Sequence, residues 1–114
     1  MMKKGQEMSR HEKVCARALE ILSGAPYREY MEALYLYGSC ARGTQRYDSD
    51  VDLLVQYNHR FTPQIGRSMR IAVTPEDMDQ PEVELKFVHG DSWKKRQDPF
   101  SANLRKDGVL LWKK

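Results

Sequence analysis

Asp50 and Asp52 stand two residues apart where an apolar run begins, within LYLYGSCARGTQRYDSDVDLLV, residues 34–55. Carboxylates at the entrance of a buried strand are unfavourable unless something neutralises them. Residues two apart on a strand share a face at a spacing of about 6.6 Å, so the two acids project together while Val51 and Leu53 turn into a core. Acids this close repel, and one takes up a proton unless a cation sits between them. Hard divalent cations such as Mg²⁺ take oxygen ligands of this kind. A third acid is available in Glu84, between Val83 and Leu85 on a later alternating segment. If that segment neighbours the first, Glu84 reaches the pair from about 5 Å. Glu82 shares its face and is the rival. Three carboxylates on adjacent strands can hold one or two metal ions about 3.5–4 Å apart, as phosphoryl-group chemistry requires. Taken alone, Asp-x-Asp is a weak signal and is more often a solvated strand edge than a metal site.

Gly38-Ser39 ends the preceding apolar run. Glycine lets the backbone approach a ligand, and serine offers a hydroxyl and an N–H to phosphate oxygens. Arg42 and Gly43 follow in a segment able to form one helical turn whose first amides face the same place. An ordinary turn with a surface arginine is the plain alternative. Lys86, two residues beyond Glu84, can reach a phosphate or pair with Glu84 or Glu82. Tyr35, Tyr37 and Trp112 read as packing residues, and Lys94-Lys95-Arg96 as a solvated charge run. Nothing near Cys40 marks its thiol as activated.

The elements that must position these groups are legible in outline. His11, Val14, Cys15, Ala18, Ile21 and Leu22 recur at three- and four-residue steps, which predicts a helix over 7–22 ended by Ser23-Gly24. A short second helical segment is expected over 27–33. Strands are expected at 34–37 and 51–55, with a turn over 57–60. Residues 62–73 carry both periods: Ile65, Met69 and Val73 repeat at four, while Met69, Ile71 and Val73 alternate. Thr62-Pro63 tips the reading toward a helix, and Thr74-Pro75-Glu76-Asp77 resembles a capped single turn. A third strand over 82–88 has one charged face. Asp98-Pro99 opens a helix to about Lys106 that buries Phe100 and Leu104, and Asp107-Gly108 leads into a last strand over 109–112. The expected architecture is α/β (α+β): a short mixed β-sheet with helices packed mainly on one face.

The 114 residues fit one domain, and 40% hydrophobic with 31% charged residues is a globular composition. The net charge of +3 owes much to Lys3, Lys4, Lys113 and Lys114 at the two ends, and without them the body is slightly acidic. A general nucleic-acid-binding role is therefore not expected. Cys15 and Cys40 have no CxxC spacing, and His11, His59 and His89 are scattered, which argues against structural zinc and disulfides. No apolar run approaches the length of a membrane span, and the polar start does not read as a secretory signal, so the cytoplasm is the expected location.

The stretch from Gly38 to Val55 resembles the signature of the nucleotidyltransferase superfamily: a hydrophobic residue, Gly-Ser, a spacer, then Asp-hydrophobic-Asp-hydrophobic. Here these are Tyr37-Gly38-Ser39 and Asp50-Val51-Asp52-Leu53, with ten residues between Ser39 and Asp50. The family's third acid, set between hydrophobic residues on a later strand, is matched by Val83-Glu84-Leu85, with glutamate where aspartate is frequent. PFSANLRKDGVLLW is similar to the family's closing helix and strand. The chain looks like a minimal nucleotidyltransferase over residues 1–114. The resemblance implies transfer of a nucleoside monophosphate, first of all AMP from ATP, to an acceptor hydroxyl. Gly38, Ser39, Arg42 and Lys86 would serve the triphosphate. Asp50, Asp52 and Glu84 would bind one or two Mg²⁺ ions, with Glu84 an alternative base for the attacking hydroxyl. Relatives that modify antibiotics or nucleic acids usually carry a further helical domain, which this length does not accommodate. A partner is therefore expected to supply the acceptor, and minimal members resemble antitoxins paired with a HEPN-type toxin that receives AMP on a tyrosine. A catalytically inactive binding antitoxin or regulatory subunit, and a small-molecule or RNA-end enzyme completed by homo-oligomerisation, are the alternatives.

Overall fold

The computed structural model describes residues 8–114. Helix α1 runs Arg10–Ser23, opened by Ser9. The Ser9 hydroxyl accepts from the Glu12 amide at 3.1 Å and the Glu12 carboxylate accepts from the Ser9 amide at 2.9 Å, a reciprocal cap that fixes the start. The helix therefore begins later than position 7, and residue 7 lies outside the described residues. His11, Val14, Ala18 and Leu22 form its buried stripe, while Cys15 and Ile21 sit half-buried at its margins.

The helical segment expected over 27–33 shrinks to one 3₁₀ turn, Tyr27–Tyr30. Strand β1 takes over at once, Met31–Tyr37. Pairing on both sides explains the difference: the strand is antiparallel to β2, Val51–Tyr57, and to β4, Val109–Lys113. Ladder bonds to two neighbours outweigh the weak helical preference of Met31-Glu32-Ala33. The same pairing carries β2 two residues beyond Val55, since Gln56 and Tyr57 lie opposite Ala33 and Met31.

Residues 63–73 are helix α3, Pro63–Val73, with the Thr62 hydroxyl accepting from the Ile65 amide at 3.3 Å. Met69 and Val73 are buried, whereas Ile71 is 70% exposed, so the four-residue repeat is the one that packs. Thr74 opens no new turn. Its hydroxyl donates to the Arg70 carbonyl at 2.8 Å and its amide to the Ile71 carbonyl at 3.2 Å, which closes α3 instead. Strand β3, Val83–His89, is followed by a short 3₁₀ turn, Ser92–Lys94, and by α4, Pro99–Asp107. Asp98 caps α4, accepting from the Ser101 amide at 3.0 Å and the Ser101 hydroxyl at 2.9 Å. Helix α2, Gly38–Arg42, follows β1 directly, and from its end the chain runs as a loop to β2.

The four strands lie in the order β3-β2-β1-β4, with β2 and β3 parallel and the other pairs antiparallel. Helices α1 and α3 bury one face of this mixed sheet over Leu34, Val51, Leu53, Val55 and Leu85. The other face is covered only in part, where Trp93 and Leu104 close over Leu54. The uncovered part of that face is the one from which Asp52 and Glu84 project. No helix among the described residues is long and apolar enough to cross a membrane.

Candidate active site

The strand register brings the acids together. Asp52 lies opposite Tyr37 on β1 and opposite Glu84 on β3, and residues paired across a sheet share a face. One carboxylate oxygen from each of Asp50, Asp52 and Glu84 falls within 4.8 Å of the others. Glu82, the rival third acid, is not in the group: it precedes β3, where its carbonyl accepts from the Val51 amide at 2.8 Å. Asp50 stands just outside β2, and its carbonyl accepts the Cys40 thiol at 3.5 Å.

The cluster is held against its own charge. The Asp52 carboxyl is pushed up to about 6, first by burial and then by Glu84 and Asp50, with Lys86 and Arg42 opposing them. The Tyr37 phenol is raised by burial and then by Asp52 and Glu84. The Cys40 thiol is pushed up to about 11, chiefly by burial and then by Asp52, Cys15 and Asp50. A site that disfavours each further negative charge favours a cation. Its donors are carboxylate oxygens, and no cysteine or histidine joins them among the described residues, which suits a hard cation such as Mg²⁺ and not a soft, thiolate-seeking metal.

Gly38 is the hinge between β1 and α2. Its φ is +74°, and a Cβ there would stand 2.4 Å from Asp52 Oδ2. Glycine meets both demands without strain. The five residues of α2 then place Ser39, half-buried, and Arg42 beside the cluster. The Arg42 guanidinium faces Asp107 at 3.8 Å and lines a small pocket of about 160 Å³ with Tyr37, Gly38 and Phe100. Among the described residues Lys86 forms an ion pair with neither Glu82 nor Glu84. Its Nζ lies 4.8 Å from the Phe100 ring centroid, over the same face as the acids.

Tyr35 and Tyr37 are packing residues, edge-on to Trp93 and Phe100 at 5.1 Å and 5.4 Å, and Trp112 packs on the main core. Lys94, Lys95 and Arg96 are exposed. Arg70 was not singled out by the sequence. With Thr74, Asp50, Glu82 and Glu84 it lines a cleft of about 360 Å³ beside the acids. Its guanidinium donates to the Leu85 carbonyl at 3.3 Å and lies 4.7 Å from the Phe87 centroid. Arg70 sits in the segment whose period was ambiguous, so its place could not be read without the fold.

The family model for the polymerase beta nucleotidyltransferase domain matches residues 20–114. The chain belongs to this family. A crystal structure from Sulfolobus solfataricus, provisionally assigned as a nucleotidyltransferase, is similar at a TM-score of 0.50 and 21% identity, over 97% of this chain and 93% of that one. That likeness speaks to the fold. No curated protein matches the sequence.

Within this nucleotidyltransferase domain the matched span takes in Gly38, Ser39, Arg42, Asp50, Asp52, Glu84 and Lys86, and begins inside α1. The acidic group, the glycine turn and the two flanking cations thus fall on one uncovered end of the sheet of a nucleotidyltransferase fold.

Proposed function

We propose that the protein transfers a nucleoside monophosphate, AMP from ATP in the first instance, to an acceptor hydroxyl, with Mg²⁺ held by Asp50, Asp52 and Glu84. The observation that carries this reading is the convergence of three carboxylate oxygens within 4.8 Å beside a glycine whose positive φ and closeness to Asp52 disfavour a larger residue. When bound, Mg²⁺ offsets the charge of the triphosphate and makes the acceptor hydroxyl more acidic. Ser39 offers its amide and hydroxyl to phosphate oxygens, with Arg42 and Lys86 supplying positive charge at either side. Glu84, the most exposed of the three acids, would take the acceptor's proton as an alternative to ligation. The chain contributes positioning and electrostatics and forms no covalent intermediate in this scheme.

The acceptor we favour is a tyrosine of a HEPN-type partner toxin, which would make the protein a cytoplasmic antitoxin. This rests on the resemblance to minimal nucleotidyltransferases. Incubation with labelled ATP, Mg²⁺ and candidate acceptors, a co-expressed helical toxin among them, tests the proposal. Label should pass to the acceptor with pyrophosphate released, and Asp50→Ala or Asp52→Ala should abolish the transfer. Transfer that survives both substitutions refutes the metal assignment. Tight nucleotide binding without transfer to any acceptor refutes the enzymatic one.

A further inference from the structure

Asp50 lies outside the β2 ladder, yet its carboxylate must meet those of Asp52 and Glu84. The peptides on both sides of it are tied down. Behind it, the Asp50 carbonyl accepts from Cys40 and the Val51 amide donates to Glu82. In front, the Ser49 carbonyl lies 2.8 Å from Nε2 of His11, a residue only 6% exposed. A carbonyl only accepts, so the ring N–H donates. The Ser49 carbonyl and the Asp50 amide belong to one rigid plane, so this bond fixes the plane on which Asp50 turns.

His11 has a firm base. The reciprocal Ser9–Glu12 cap sets the start of α1. Next to it, Arg10 donates to the Tyr47 carbonyl at 3.0 Å and to the Asp79 carbonyl, with its guanidinium 3.8 Å from the Tyr47 centroid. Further along, Arg17 donates to the Val73 and Thr74 carbonyls at 3.4 Å and 3.2 Å. One helix thus holds the backbones of both loops that lead into the acid-bearing strands.

We propose that His11 is a positioning residue for the metal-binding carboxylates, acting through the Ser49 carbonyl to aim Asp50. The role rests on the functional reading above. A histidine that merely fills the core would affect stability alone, so the test compares His11→Leu, which keeps bulk and loses the donor, with His11→Gln, which restores a donor. Amide exchange over residues 46–51 is measured without metal, and Mg²⁺ affinity by titration calorimetry. His11→Leu should speed exchange in that loop and weaken Mg²⁺ by about tenfold, while His11→Gln stays within about twofold of wild type, the range expected for groups that orient metal ligands. Unchanged exchange in His11→Leu overturns the proposal. So does a loosened loop with undiminished Mg²⁺ affinity, or equal losses in both variants. A wild-type protein that takes up no Mg²⁺ defeats the functional reading and the positioning role with it. That failure differs from failure of the hydrogen bond, which the exchange measurement reports without metal.

Discussion

The Asp52 carboxyl, pushed from 3.8 to about 6, makes a stability statement as well as a functional one. Its folded value is raised, so the native state binds more protons than the unfolded chain between those pH values. Stability therefore falls as pH rises through that window, and the full penalty is present above about pH 6. Asp52→Asn removes the penalty together with one of the three clustered carboxylates. Urea denaturation of metal-free protein at pH 7.5 should show the variant more stable by about 1 kcal/mol, after discounting the shift for a half-exposed group, with no gain at pH 3.5. A variant less stable than wild type at pH 7.5 would contradict the strain assigned to this acid. Gly38 is the second residue under constraint. Gly38→Ala suffers both a positive φ and a clash with Asp52 Oδ2, and should lose about 1–2 kcal/mol for the backbone alone. In an Asp52→Ala background the clash disappears and only the backbone cost remains. A double-mutant cycle reads the difference, and strict additivity would show that the two residues do not meet.

Among the elements, the sequence revealed those whose pattern reports their own packing and obscured those decided by neighbours. The stripe of α1, the charged alternation of β3 and the Asp98-Pro99 start of α4 are local signals, and each element forms where they stand. Met31–Ala33 has no such signal, because its strand state comes from β2 and β4 on either side. The acids were legible because carboxylates in an apolar run demand an explanation. The choice of Glu84 over Glu82 was not, since it depends on where β3 begins against β2. Arg70 and the bond from His11 to Ser49 were invisible for the same reason: both join segments far apart in sequence. Helix α3 offers a direct check on the resolved ambiguity. Met69 is fully buried and Ile71 faces out. Met69→Ala should cost about 2–5 kcal/mol in chemical denaturation, and Ile71→Ala no more than about 0.5 kcal/mol. Comparable losses at both positions would mean that the segment packs as a strand does, with alternate residues inward.

At the scale of the whole molecule, the metal binding we propose for the acid cluster would couple cation uptake to folding. A ligand that binds only the native state stabilises it by an amount set by its concentration relative to its dissociation constant, about 2.7 kcal/mol at a hundredfold excess. For a chain of this size that corresponds to a rise in Tm of roughly 10 °C. The rise must depend on pH. Below about pH 6 the Asp52 carboxyl holds a proton, and Mg²⁺ has to displace it, so part of the binding free energy is lost to the competition. Calorimetric scans with and without Mg²⁺ should therefore show a large upward shift at pH 8 and a much smaller one at pH 5. Asp52→Asn, which cannot take up that proton and lacks the charge, should show almost none at either pH. A shift of equal size at both pH values, or one retained by Asp52→Asn, would mean that the cation binds elsewhere on the protein. The uncovered end of the sheet would then need another account for three acids held so close together.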